Sequence, residues 1–394
     1  MAAQTFDPAE ASNRSISILR DLIAIPTYQD SEAAIDYLVG RLEEQRIRYH
    51  VSLREGRKYN LIAEVGPERP GDGGSQGPGK VLILNSHIDT VPPGSHGWTR
   101  DPFKAEIQDD RIYGLGACDA TASLAAMVAA LEVLAESGVP LAGTVVLAAV
   151  SGEETGGLGT QLALAEGLTG TAAIVGEPTS LIPKVAHKGV LRCYVDVQGK
   201  AAHASAPRLG INAISKMAKV IIALDGLAEA VETHKDDVAG HASLAVTTVG
   251  GGRALNIIPD SCRISIDRRL VPGETEEGAL SEIESVIAQC KVNDPDLSAT
   301  VSKLRFLPPS KTDPSHELVS ALRRATRTAI GADPGVGGFE ASCDMTFLVN
   351  RAGIPTVIFG PGDLSLAHHA DEFVEIRQVR LAAEIYARAV MEYL

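Results

Sequence analysis

The apolar run VLILN (residues 81–85) leads straight into Ser86-His87-Ile88-Asp89. With the two-residue period of a strand, His87 and Asp89 point the same way, at the strand end where ligands of open α/β sheets collect. A histidine with an acid two residues on suits a metal ligand whose tautomer is fixed by a neighbouring carboxylate, although the pair also arises by chance. Asp119 follows the Gly-rich turn of YGLGACDATAS. Gly114-x-Gly116-x-x-Asp119 superficially matches a dinucleotide fingerprint, but a carboxylate in place of the third glycine would repel a pyrophosphate. Asp119 then either caps the helix that follows or bridges two cations. Glu153 and Glu154 in SGEETGG, after the strand TVVLAAV, repel each other unless a positive charge lies near. Glu177 follows AAIVG, and His368 and His369 follow PTVIFGPG. Acids and histidines at successive strand and turn exits are much harder to obtain by chance than any single one. His87, Asp119, Glu154, Glu177 and His368 form a nitrogen and oxygen donor set suited to Zn²⁺, Co²⁺ or Mn²⁺. Two divalent cations would bring four positive charges against the carboxylates of Asp119, Glu153, Glu154 and Glu177.

The elements that must position these residues follow from periodicity. Residues 9–25 and 32–48 carry apolar positions at helical spacing (Ile16, Leu19, Leu22 and Ile23; Ile35, Leu38 and Leu42). Strands are predicted at 60–65, 81–85, 144–150 and 172–176, with an Ala-rich helix at 120–136. This alternation describes an α/β layer with a largely parallel sheet. From about residue 184 strands come in neighbouring runs, LRCYVDVQG, HASLAVTTVGGG, DSCRISIDRRL and LSATVSKLRF, with helices near 211–233 and 275–290. An α+β insertion with an antiparallel sheet is the consequence. After Pro308 the pattern returns to helix (315–330), strand (355–359) and helix (377–393). The predicted organisation is a first domain over 1–183 and 308–394, interrupted by a second over 184–307.

Composition narrows the function classes. The 394 residues carry 36 Lys and Arg against 50 Asp and Glu, a formal net charge of −14, which argues against binding nucleic acid or an anionic membrane. No apolar run approaches the length of a membrane span, and the N-terminus lacks the pattern of a signal peptide. The five cysteines are an odd number, widely spaced and without a CxxC pair, which predicts a protein of the reducing cytoplasm. Gly73-Gly74-Ser75-Gln76-Gly77 matches GxSxG but lies in a Pro/Gly loop, not in a strand-turn-helix elbow, and so carries no serine nucleophile. Cys118 stands beside Asp119, which raises a thiol pKa and argues for a packed, inert side chain.

Ser86-His87-Ile88-Asp89, Gly116-Ala117-Cys118-Asp119, Gly152-Glu153-Glu154, Gly176-Glu177-Pro178-Thr179-Ser180, His187-Lys188-Gly189, the His203 segment GKAAHASAP and Ala367-His368-His369-Ala370-Asp371-Glu372 occur in order. In these motifs the chain resembles the acetylornithine deacetylase, succinyl-diaminopimelate desuccinylase and carboxypeptidase G2 family of dinuclear zinc hydrolases. The resemblance implies a zinc-peptidase-like α/β catalytic domain with a mixed, largely parallel sheet, interrupted by a smaller α+β lid or dimerisation domain. It further implies that His87 and Glu177 hold one metal and Glu154 and His368 the other, with Asp119 bridging. Glu153 would be the general base and Asp89 would orient His87. His203 would reach the active site of a partner subunit and polarise the scissile carbonyl, which implies a homodimer. Lys188, Asn256 and Arg269 would contact substrate.

One departure is visible: the family usually follows the bridging Asp with Met-Lys-Gly-Gly or similar, whereas Ala120-Thr121-Ala122-Ser123 stand here. The motifs around GEPTSL and HKGVLR are similar to the acetylornithine deacetylases. The expected reaction is therefore hydrolysis of a small N-acyl amino acid, first an N-acetylated basic amino acid such as acetylornithine. The alternatives are a succinyl-diaminopimelate desuccinylase, a dipeptidase or aminoacylase, and an inactive family member acting as a binding protein.

Overall fold

A computed structural model describes residues 7–67, 79–94 and 97–394; the GxSxG match at 73–77 lies outside them. The chain divides into two compact units, the first made of residues 1–185, 311–337 and 343–394 and the second of 186–310 and 338–342. The units change at 186 and 311, where the sequence rhythm suggested 184 and 308. The excursion at 338–342 had no counterpart in the sequence reading. It stays with the second unit because Gly338 lies against the backbone of Val238 and Ala239, and the Phe339 carbonyl accepts from the Lys188 N–H.

The first unit is built on a mixed sheet in which Arg48–Arg54, Arg57–Val65, Thr144–Val150, Val81–His87, Ala172–Val175 and Thr356–Ile358 lie in that order. The last four run parallel, with His87 opposite Val150 and Asn85 opposite Val175. Their C-terminal ends therefore open on one edge of the sheet. Val81–His87 and Thr144–Val150 are buried on both faces, which is why they read as continuous apolar runs without alternation. Arg48–Arg54 pairs antiparallel with Arg57–Val65. It was missed, because its charged and aromatic residues extended the preceding helical pattern to residue 48; that helix ends at Glu44.

Helices Glu10–Ile23, Thr121–Ser137 and Ile376–Tyr393 pack together in this unit. Thr121–Ser137 is buried over nearly its whole length, so it carries no polar face. Its one acid in the buried stretch, Glu132, is paired: Arg41 donates to both carboxylate oxygens at 2.8 Å, and Arg14 approaches to 3.7 Å. Removing one partner of such a buried pair strands the other. Arg41→Met is expected to destabilise the chain by about 3 kcal/mol, read as a lower urea midpoint. A change within the few tenths typical of surface ion pairs would contradict a buried, desolvated Glu132. No helix among the described residues is long and apolar enough to cross a membrane.

The second unit carries a four-stranded antiparallel sheet in the order Ser243–Gly251, Ser261–Leu270, Gly189–Gln198, Ser298–Leu307. Leu191, Cys193, Val195 and Val197 alternate inward and form a core with Met217, Val220, Leu224, Ile283 and Ile287 of the helices Ala213–Val231 and Glu276–Asn293. Both helices start on side-chain caps. Asn212 Oδ1 accepts from the Ile214 and Ser215 N–H groups, and Thr275 Oγ1 accepts from Gly278 N–H.

Candidate metal centre

The candidate ligands of the first unit other than Asp119 leave the same edge of the sheet, and Asp119 lies in the turn between the short strand Arg111–Tyr113 and the helix Thr121–Ser137. His87 ends its strand; Glu153 and Glu154 follow Val150, Glu177 follows Val175, and His368 lies on the connection after Thr356–Ile358. The His87 imidazole is held at both nitrogens: Nδ1 lies 2.8 Å from the Asp89 carbonyl oxygen and Nε2 3.2 Å from Asp119 Oδ1. A carbonyl can only accept, so Nδ1 carries a proton, and Nε2 is the nitrogen that faces Asp119. Across the Asp119 carboxylate, Oδ2 lies 3.3 Å from His368 Nε2, which is also 3.0 Å from Glu154 Oε1. Two groups result, His87/Asp119/Glu177 and Asp119/Glu154/His368, each with one donor atom per residue within 4.8 Å of the others. They share Asp119.

Asp119 is not the cap of the following helix. The N-cap position is Ala120, without a side-chain hydrogen bond, and the carboxylate faces the histidines instead. The turn before it is fixed by Gly116 at φ +72°, where a Cβ would stand 2.5 Å from Thr90 Cγ2. Glu372, 2 % exposed, accepts from the backbone N–H groups of Gly116, Cys118 and Asp119 at 2.7–3.0 Å and latches this turn. Asp89 does the same for the opposite loop, taking the N–H groups of Gly152, Glu153 and Glu154 at 2.7–3.2 Å. The expected carboxylate-to-imidazole contact of Asp89 is thus replaced: its carboxylate is 4.0 Å from His87 Nδ1 and its carbonyl takes the bond. Three N–H donors converging on one carboxylate outcompete a single imidazole.

The electrostatics fit a site built for positive charge. Burial pushes Glu153 and Glu177 well above the usual carboxylate range, with neighbouring carboxylates adding to it. Burial would also lower His87, but its bond to Asp119 and the charges of Glu177 and Asp119 outweigh this and hold it well above the ordinary imidazole range. Hydrogen bonds from His368 Nε2 to the Asp119 and Glu154 carboxylates raise His368 to about 10. Burial lifts Glu372 to about 7 despite its backbone donors. The protons held here stand where cations would otherwise compensate the acids.

Sequence reasoning missed Asp344. It is 1 % exposed, accepts from Thr160 Oγ1 at 2.7 Å, and is raised to about 6 by burial. Nothing in SCDMTF marks it, since a single acid before a short apolar helix reads as a surface residue. The departing residues 120–123 are all buried, and Ser123 fits because Gly176 and Gly360 lie against its Cβ and hydroxyl. Cys118 is buried, and burial together with Glu372 raises its thiol well above the ordinary range, as an inert side chain requires.

The other predicted residues belong to the second unit. His203 ends a two-residue strand paired with Ile257–Ile258 and is exposed. Its Nδ1 accepts from the Ser205 N–H at 3.2 Å and lies 2.7 Å from Ser205 Oγ, which leaves the proton of the neutral ring on Nε2. Asn256 is exposed, Lys188 is half-buried, and Arg269 donates from Nε to Asp267 Oδ1 at 2.6 Å. A third histidine and acid group, His234/Glu274/Glu282, is filled by the guanidinium of Arg268, which pairs with both glutamates and already supplies the positive charge.

Residues 83–392 match the model of peptidase family M20/M25/M40. The chain is 30 % identical to an acetylornithine deacetylase of Klebsiella pneumoniae and 28 % identical to a probable succinyl-diaminopimelate desuccinylase of Staphylococcus epidermidis, each match covering 96 % of this chain and 97 % of the relative. Among solved structures, an M20 family metallo-carboxypeptidase from Sulfolobus solfataricus superimposes with a TM-score of 0.78 at 19 % identity, over 96 % of this chain and 99 % of that one. A dinuclear metal-binding peptidase of Bacillus subtilis gives 0.71 at 18 % identity, over 98 % and 99 %.

Proposed function

From the premise that the chain belongs to peptidase family M20/M25/M40, we propose that it hydrolyses the amide bond of a small N-acyl amino acid with two divalent cations. The observation that carries this reading is the pair of donor groups sharing Asp119. His87 and Glu177 would hold one cation, Glu154 and His368 the other, and Asp119 both. Their nitrogen and oxygen donors suit Zn²⁺ first and Co²⁺ or Mn²⁺ as well. Once bound, the cations supply Lewis acidity and lower the pKa of water towards neutrality.

The remaining chemistry belongs to the side chains. Glu153 takes the proton of the attacking water and returns it to the leaving amine. His203 donates from Nε2 to the carbonyl oxygen as negative charge develops there. Asp89 and Glu372 keep the loops of Glu153, Glu154 and Asp119 fixed while this happens. Lys188, Asn256 and Arg269 contact the amino-acid part of the substrate. The His203 role brings a homodimer with it, a reading supported by the Ser243–Gly251 strand at the end of its sheet and by Val249 and Ile222, which are 64 % and 71 % exposed.

The motifs at 176–181 and 187–192 favour an acetylated basic amino acid such as acetylornithine. A succinyl-bearing substrate is the second reading, favoured by a cavity beside Glu154 described below. Hydrolysis of N-acetylornithine, N-succinyl-diaminopimelate and a dipeptide by metal-reconstituted protein tests the proposal. Turnover of an N-acyl amino acid that is lost on chelation is expected, and metal-loaded protein inert on all three would contradict it.

The adjacent histidines give an internal control. His368 faces Asp119 and Glu154, while His369 is exposed, with Nδ1 on the Ala367 carbonyl at 2.8 Å. His368→Ala is expected to lose about half of the bound metal and nearly all activity, and His369→Ala to keep both. Elemental analysis with the reverse pattern would shift the ligand assignment by one residue.

A further inference from the structure

A cavity of about 460 Å³ opens beside the metal centre, within the first unit, between the segment 27–32, the Arg48–Arg54/Arg57–Val65 hairpin and the loop carrying Glu154. An acetyl methyl would leave nearly all of that volume unfilled. Its cations differ in how they are engaged. Arg57 donates to Glu32 at 3.1 Å and to Asp30 at 3.0 Å, and Lys58 is paired with Asp36. Among the described residues the carboxylate beside Arg54 is that of Glu55, at 3.9 Å, a side chain that is 84 % exposed, and the Arg54 guanidinium also bonds the Tyr59 hydroxyl. The Arg54 guanidinium lies over the Tyr59 ring, 5.3 Å from its centroid. The Tyr59 hydroxyl in turn abuts Gly152, so closely that a Cβ there would strike it. Gly152 has φ +83° and immediately precedes Glu153 and Glu154. Arg54 is therefore held in register with the reacting loop, with its fork of donors available to a carboxylate.

We propose that Arg54 and Tyr59 form an acyl-chain subsite that selects N-acyl amino acids whose acyl group ends in a carboxylate. The proposal rests on the hydrolytic reading above and assigns the acyl part of the substrate to this cavity beside Glu154. It keeps the basic amino acid of the first reading and takes the acyl group of the second, favouring a succinyl or glutaryl amide over an acetyl amide.

The test compares N-acetyl-, N-succinyl- and N-glutaryl-L-ornithine as substrates of the metal-reconstituted full chain and measures binding of free glutarate by calorimetry. The wild type is expected to prefer the two acidic acyl groups in kcat/KM. Arg54→Met should lower that value about tenfold for them, the scale of one charge-assisted hydrogen bond, leave the acetyl substrate within about twofold, and weaken glutarate binding by a similar factor. Arg57→Met, whose partners are internal, should leave the preference unchanged. A wild type that prefers the acetyl substrate, or an Arg54→Met effect equal on all three, overturns the subsite while hydrolysis stands. If none is hydrolysed, the hydrolytic reading fails, and glutarate binding then decides the subsite: dependence on Arg54 supports it and independence overturns it.

Discussion

Glu153→Gln is expected to reduce turnover by at least about 10³-fold, within the range of a general acid-base contribution, while bound metal stays near the wild-type amount. The two adjacent glutamates divide the work. Glu154 Oε1 is 3.0 Å from His368 Nε2 and belongs to a donor group, whereas Glu153 belongs to neither group. Its backbone N–H is nonetheless anchored on Asp89 Oδ1, so an isosteric amide keeps the loop in place. Burial pushes the Glu153 carboxyl well up, the direction that makes a carboxylate a better proton acceptor. Glu154→Gln should instead lose metal. Activity of Glu153→Gln within tenfold of wild type, or loss of half its metal, would remove it as the base.

His203→Ala is expected to lower kcat by about 10²–10³-fold, the scale of removing one oxyanion donor. The Ser205 N–H fixes Nδ1 as acceptor and so leaves Nε2–H to donate, the tautomer a carbonyl requires. His203 sits in the unit inserted into the first one, tethered at both ends. In a two-fold dimer each such unit can serve the other subunit's site. Mixing His203→Ala with Glu153→Gln chains should then restore activity, because one of the two sites in a mixed dimer has both groups intact. With subunit exchange demonstrated by differential labelling, a mixture that stays inactive would refute sharing, as would a fully active monomer.

How much of this was legible in sequence depended on how local the physics was. The parallel strands announced themselves, because burial on both faces writes itself as uninterrupted Val, Leu, Ile and Ala in 81–84, 145–150 and 172–175. The candidate ligands followed, since a strand end fixes where the next side chain goes. The Arg48–Arg54 strand was not legible: it is largely exposed and its charges continue a helical pattern. Helix Leu158–Ala165 was hidden for the opposite reason, too short to display a period. Asp89 and Glu372 were recognisable as residues of motifs but not as latches, because their partners are backbone N–H groups 63–65 and 253–256 residues away. Asp344 depends on Thr160, 184 residues distant, and no local pattern could reveal it.

The most direct measurement of the central claim is anomalous scattering from crystals of the protein reconstituted with Zn²⁺. Two peaks per chain are predicted, one against His87 and Glu177, one against Glu154 and His368, with the Asp119 carboxylate touching both. A single peak, or zinc bound away from Asp119, would contradict the shared two-cation centre from which the proposed chemistry is built.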